Sequence, residues 1–494
     1  MVPMITSKYR DKKGGTRSAL RIRTVLAGCA VLALAGCAPV GPDYIPPGDN
    51  APAVWHTELR QGLAAQSLDP QMLARWWTTL NDPVLAGLIE QAVNHNLDLR
   101  QAVSRVREAR ARRAASQAGQ FPSLDASAAA GRNKSKATRD FYSLSLDAGW
   151  EADIFGSTRR AVEAAEADLA ASQEELRDVL VSLTAEVALD YLEVRTLQAR
   201  LNVAQSNLDL QQQTVDLTRS RSQAGLSSEL AVQQASANLE STKAQLPTLR
   251  TSLEEAKNGL AVLTGAVPGA VHEQLATALP LPVVPPTVAV GVPAETLRQR
   301  PDIRRAERAL AAQTARVGVA AAELYPKLTL SGSIGLEAIQ AGDLFNAASS
   351  IWSIGPRASW KIFDAGAIRQ NIEVQSAKQE QALLAYEAAV LTALTEVENA
   401  LTAYAEEQVR RQNLLAAVAA ARQAAVLADN QYQAGLVDFT AVLDAQRSQL
   451  SLEDQLAQCS GTVTANLIRL YKALGGGWQP ESSPTALPRP KKDN

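Results

Sequence analysis

The chain has 494 residues with 49 basic and 51 acidic side chains, a formal charge of -2, and this balance excludes a globally basic nucleic-acid binder. Aromatic residues make up only 4%, while Ala, Leu, Gln and Glu abound, which suits long helices with small-residue seams rather than one bulky core. His56, His95 and His272 hold no metal-ligand spacing, and no phosphate-binding glycine loop or nucleophile elbow occurs, so nothing points to an enzyme.

The first recognisable element is an export signal. Residues 21–37 combine a basic lead with a short apolar run and end Leu34-Ala35-Gly36-Cys37. The run from Val25 to Ala35 is roughly half the length needed to span a bilayer as a helix. Small residues before Cys37 suit lipoprotein signal peptidase, so residues 1–36 are expected to be removed and Cys37 to carry diacylglycerol and an N-acyl chain. An ordinary cleaved signal with an incidental cysteine is the plainer alternative. Removing residues 1–36 takes away seven basic and one acidic residue, which lowers the charge from -2 to -8. Cys29 is discarded with them, leaving Cys37 in thioether and Cys459 alone, so no disulfide can form within one mature chain. No other cofactor is expected.

Past a lipidated segment at 37–70, the chain repeats itself. Residues 221–265 open Arg-Ser-Gln-Ala-Gly-Leu and close Leu-Ala-Val-Leu-Thr-Gly; residues 431–475 open Gln-Tyr-Gln-Ala-Gly-Leu and close Leu-Tyr-Lys-Ala-Leu-Gly, at an offset of 210. The first repeat is read as 71–279, a Pro/Val-rich linker as 280–293, the second repeat as 294–477 and a tail as 478–494. Each repeat is expected to run helix (71–118 in the first), strand pair, very long helix, tight turn, returning helix.

The strand pairs carry a membrane signal. Residues 143–153 alternate strictly, with Leu144, Leu146, Ala148 and Trp150 opposing Ser143, Ser145, Asp147 and Glu151. Residues 327–337 and 352–362 do the same, and residues 122–131 are a weaker copy. Strands of about 10 residues with one apolar and one charged face fit a transmembrane β-barrel with a wet lumen. A soluble two-faced sheet is the alternative. Four strands per chain cannot close a barrel, so it must be shared: two chains would give eight strands filled by side chains, three would give twelve with room for a pore.

The long helices are predicted from Ser157 to about Ser222 and from Ala367 to about Tyr432, each about 100 Å long. Each ends at Gln-Ala-Gly-Leu, where Gly225 and Gly435 can take the left-handed cap conformation and reverse the chain. A helical hairpin serving only as a spacer is the bland reading.

Several of these segments together resemble the outer membrane efflux protein family, the TolC-like ducts, and its OprM/NodT-like lipoprotein branch. They are Cys37-Ala-Pro-Val-Gly-Pro-Asp-Tyr44, Arg300-Pro-Asp-Ile303, Leu324-Tyr-Pro-Lys-Leu328, Trp360 to Gly366, and Leu470-Tyr-Lys-Ala-Leu-Gly-Gly-Gly-Trp478. The resemblance implies a mixed α and β membrane protein. It further implies a homotrimer with a twelve-stranded outer-membrane β-barrel, four strands per chain, continued by a long periplasmic α-helical barrel with an equatorial domain. It implies a passive exit duct in a Gram-negative outer membrane, partnered by a periplasmic adaptor and an inner-membrane resistance-nodulation-division transporter and passing drugs or other small toxic compounds. In such ducts the turns dock the adaptor, here Gly225, Leu226, Gly435 and Leu436, and the helix after the second turn carries the periplasmic gate. Asp444 and Arg447 match the gate motif, with Asp438 the weaker match; Ala441 and Thr440 depart from it, which implies a looser gate. Without the resemblance, Asp444 and Arg447 read as a solvated i,i+3 pair. Two alternatives stay open: an exit duct for a secreted protein or peptide with an ABC transporter, and a non-conducting lipoprotein scaffold.

Overall fold

The computed structural model describes residues 39–48, 51–67, 69–134 and 138–478. The signal segment 1–36, Cys37 and almost all of the tail lie outside the described residues. The first elements are β1 (Leu63–Ala64), α1 (Pro70–Ala74), a 3-10 turn (Trp76–Leu80), α2 (Pro83–His95) and α3 (Leu97–Ala118). The single helix expected over 71–118 is therefore broken, and two caps break it. Asp82 accepts from the amides of Val84 and Leu85 at 2.9 and 3.1 Å, directly before Pro83. Asn96 then accepts from Leu99 N at 2.9 Å and donates to Leu263 O at 3.0 Å.

Next come β2 (Ser123–Lys134), β3 (Thr138–Ala152), α4 (Ser157–Gln223) and α5 (Glu229–Leu263). After β4 (Val288–Ala289) and α6 (Pro293–Gln299), the series recurs as α7 (Pro301–Ala322), β5 (Lys327–Ala338), β6 (Ser350–Ser359), α8 (Ala367–Gln433) and α9 (Phe439–Ala473). Helices α3 and α7 both have 22 residues, α4 and α8 both 67, α5 and α9 both 35. The expected linker is not all linker. Its β4 pairs in parallel with β1, Val288 N donating to Gly62 O at 2.9 Å and Val290 N to Ala64 O at 3.0 Å, so it ties down the N-terminal segment.

The chain divides into two compact units. One comprises the described residues of 39–45, 109–169 and 309–383, and its centre is an antiparallel sheet in the order β2-β3-β5-β6. Its register settles the faces: Ala126, Leu146, Ile334 and Trp352 form one rung, and Asp125, Asp147, Ser333 and Ser353 the next, on the opposite face. Leu124, Leu144, Leu146, Trp150, Leu330, Ile334, Trp352 and Ile354 are all exposed, so the apolar face has no cover among the described residues. Among the described residues β2 and β6 each leave one edge unpaired, and Pro356, which donates no ladder bond, sits in edge strand β6. β6 stops at Ser359 rather than running to 362, because its partner β5 begins at Lys327. Trp360 instead donates to Leu324 O at 3.0 Å, and Trp150 makes the same closure to Gln120 O at 2.9 Å.

In the same unit the N-terminal strap is clamped onto the start of α4. Arg160, nearly buried, donates to Asp43 Oδ1 at 2.6 Å, to Val40 O at 3.3 Å and to Glu163 Oε2 at 2.7 Å. The strap lies so close that a Cβ on Gly41 would fall 2.4 Å from the Gly318 Cα.

The other unit, residues 46–108, 170–308 and 384–494, holds the main hydrophobic core. Trp76, Leu88, Tyr191, Leu260, Leu401, Leu467 and Tyr471 are fully buried there, with Trp76 stacked on Tyr471 at 5.5 Å. Small residues let the rods approach: a Cβ on Gly461 of α9 would fall 2.1 Å from Thr196 Oγ1 on α4. Gly461→Val is therefore expected to lower stability by about 1–3 kcal/mol through overpacking, read as a lower thermal midpoint in detergent; an unchanged midpoint would mean that the two helices can part freely.

Candidate functional site

The rods end in two turns that are copies of one another. Leu226 N donates to Arg221 O at 2.8 Å and Gly225 N to Ser222 O at 2.9 Å; Leu436 N donates to Gln431 O at 2.8 Å and Gly435 N to Tyr432 O at 3.0 Å. This six-to-one plus five-to-two pattern is the Schellman motif, and it needs a left-handed residue at its centre. Gly225 and Gly435 supply it at φ 75° and 76°. In this motif the next residue often packs back on the helix, yet Leu226 and Leu436 are 70% and 74% exposed. The turns thus present two leucines outward.

The two turns adjoin. Arg221 Nη1 donates to Gln433 O at 3.1 Å, its guanidinium lies 4.8 Å from the Tyr432 ring centre, and Ser227 Oγ meets Tyr432 OH at 3.1 Å. Beneath them Val215, Ala231, Leu239, Tyr432, Phe439, Val442 and Leu443 form a small apolar core. Ser228 caps α5 through Ala231 N at 3.3 Å, whereas Asp438, the N-cap residue of α9 and a candidate gate residue, makes no side-chain cap there.

Asp444 is exposed and makes no hydrogen bond or ion pair among the described residues. The i,i+3 pair with Arg447 does not form. Arg447 Nε instead donates to Asn238 Oδ1 on α5 at 3.0 Å, so the guanidinium joins two helices and leaves the carboxylate of Asp444 free.

Further along α9 lies a set of ties that the sequence reading missed. Gln446 Nε2 donates to Thr214 Oγ1 on α4 at 2.8 Å. Glu453 accepts from Arg422 on α8 at 2.6 Å, from Asn207 on α4 at 2.8 Å and from Gln449 at 3.1 Å. Arg200 on α4 grips Asp454 with two bonds of 2.8 and 3.0 Å. A signal existed: Gln446, Gln449 and Glu453 follow Val442 at helical spacing, which puts polar groups in an otherwise apolar seam. Burial pushes the Glu453 carboxyl up, but Arg422 and the two amides outweigh it and hold it below the usual range. The tie is therefore charged at neutral pH and is lost only as pH falls through that depressed value.

A cavity of about 560 Å³ opens between these helices, lined by Asn207, Gln211, Thr214, Arg422, Asp429 and Gln446. Gln211, 2% exposed, leaves both amide atoms without a partner. The neutral ties contribute only about 0.5–1.5 kcal/mol each and the charged ones about 1.5–3 kcal/mol. Cys459, also on α9, faces Glu407 O at 3.7 Å, and burial together with the neighbouring Glu407 carboxylate pushes its thiol up to about 12, which disfavours the reactive thiolate. No group of three or more His, Cys, Asp or Glu among the described residues is placed to hold a metal ion.

The family model for outer membrane efflux proteins matches residues 88–266 and 292–476. Nodulation protein T of Rhizobium leguminosarum bv. trifolii is 32% identical over 457 residues, 91% of this chain and 96% of that protein. The cation efflux system protein CusC of Escherichia coli (strain K12) is 31% identical over 461 residues, 92% of this chain and 99% of its own. Among solved structures, the outer-membrane channel OprN superposes with a TM-score of 0.84 at 37% identity, covering 89% of this chain and 100% of that one.

Proposed function

This chain belongs to the outer membrane efflux protein family, and on that footing we propose that it is the exit duct of a tripartite efflux system. It is an outer-membrane protein of a Gram-negative bacterium that extends into the periplasm. The duct carries drugs or other small toxic compounds passively, and an inner-membrane resistance-nodulation-division transporter, joined through a periplasmic adaptor, supplies the energy.

The observation that carries the reading is the four-stranded sheet with both edges unpaired and one apolar face uncovered. In lipid an open edge leaves backbone groups without partners, so the edges must find each other in other copies. Three copies give twelve strands and a lumen wide enough to conduct, with Asp125, Asp147, Glu151 and Arg357 on the wet face. The repeated strand, rod and return helix make each chain two equivalent staves of a helical barrel. An acylated Cys37 anchors it, and Arg160 holds the chain close behind it at Val40 and Asp43. The exposed Leu226 and Leu436 are the adaptor-docking tips, and Asp444, with Arg447 and Asp438 beside it, forms the periplasmic gate.

Purified protein added to a planar lipid bilayer is expected to give stepwise conductance openings of uniform size. Complete silence across a range of protein concentrations and voltages would instead favour a non-conducting scaffold.

A further inference from the structure

The β2–β3 hairpin carries a charge pattern that conduction does not use. The chain enters β2 from α3 and leaves β3 into α4, so the Lys134–Thr138 rung lies at the end of the strand pair away from those helices. On the apolar face the rungs rise in the order Ala126 with Leu146, Ala128 with Leu144, Ala130 with Tyr142, Arg132 with Asp140, and Lys134 with Thr138. Period-two alternation keeps these residues on one side of the sheet. Arg132 and Lys134 therefore face outward, in line with the apolar band and directly above Tyr142.

The level of these cations can be reckoned. From Trp150 to Asp140 is ten residues, about 34 Å along a strand. A tilt of about 40° reduces this to roughly 25 Å along the membrane normal, the height of the apolar band of an outer-membrane barrel. With Trp150 at the lower border, the Arg132–Asp140 rung meets the headgroups of the outer leaflet and Lys134 stands just above it. The second hairpin differs, since residues 328–356 contain no Lys or Arg.

Arg132 is held outward by Asp140 through Nε at 2.5 Å and Nη2 at 2.9 Å. A guanidinium has five N–H donors, so three are left for an acceptor above. Lys134 is exposed and has no ion pair among the described residues. Lys134, one rung beyond an Arg132 whose charge Asp140 offsets but which keeps three N–H groups free, gives a site of net charge +1 on a lipid-facing strand at headgroup height, which matches a phosphorylated headgroup and not a neutral one.

We propose that Arg132 and Lys134 form a binding surface for the phosphorylated glycolipid of the outer leaflet, one such surface per chain. This rests on the barrel reading above. The bound headgroup would brace edge strand β2, beside which another copy must pair. Each basic group near an anionic lipid surface raises affinity about fivefold.

The test compares detergent-solubilised protein, wild type and Arg132→Gln/Lys134→Gln, for binding of fluorescent bis-phosphorylated lipid A against its dephosphorylated form, with inorganic phosphate as competitor. Wild type should prefer the phosphorylated form by about fivefold. The double variant should lose that preference while its conductance in glycolipid-free bilayers stays intact. Equal affinity of wild type for both forms, a preference unchanged in a conducting double variant, or displacement by millimolar phosphate would each overturn the proposal and leave the duct reading standing. Absence of conductance from wild type would strike the duct reading itself.

Discussion

Replacing Arg300 with alanine should lower the stability of the helical unit by roughly 3 kcal/mol, at the low end for a broken buried ion pair because the Glu396 carboxylate is half exposed. Arg300 sits at the head of α7 and is 6% exposed. Its Nη1 donates to Ala473 O at 2.7 Å, a carbonyl that the last turn of α9 leaves unpaired in the helix. The rest of the guanidinium binds Asp302 at 3.1 and 2.6 Å and Glu396 of α8 at 2.6 Å. One side chain thus joins three helices, and removing it strands a buried carbonyl and two carboxylates together. A lysine has no planar fork and should recover less than half of the loss. The check is the thermal midpoint of the solubilised protein, expected to fall by several degrees. A midpoint equal to wild type would show that the Arg300-Pro-Asp-Ile303 motif serves something other than packing.

Asp444→Asn should reduce the cation preference of the channel severalfold while leaving the fold intact. The side chain is exposed, free of partners and one turn past the start of α9, so the substitution removes charge without breaking a bond. Three such carboxylates facing a narrow mouth would concentrate cations by the field they create together. Reversal potentials in asymmetric salt read the effect directly. If ion selectivity is the same in both proteins, Asp444 does not line the conducting path, and the selective element lies elsewhere, with Asp125 and Asp147 on the polar face of the sheet as the next residues to change.

Much of this architecture was legible because its signals are local. Strand alternation around Leu144 and Leu330 depends only on neighbours, and the register then puts those residues on one face. The turns at Gly225 and Gly435 followed from a glycine after a long apolar period, and the structure gives both the left-handed conformation. The break of the first helix at Asp82-Pro83 was also written locally, as a cap followed by proline, but the apolar pattern of 71–118 masked it. Other features were out of reach for a different reason. The pairing of Leu63 with Val288 and the bond from Arg447 to Asn238 join residues more than 200 positions apart, and nothing within either segment names its partner. The candidate site was thus readable as a list of residues but not as a set of connections.

The two bare edges of the sheet have a genetic consequence. If three chains must share one ring of strands, a subunit with a spoiled edge does not fail alone, because it takes two sound subunits out of use with it. Co-expressed in equal amounts with wild type, such a variant would leave only about one complex in eight free of it. An edge-damaging allele on a plasmid should therefore sensitise a cell that still carries an intact chromosomal copy, whereas an allele that merely prevents the chain from folding should be silent there.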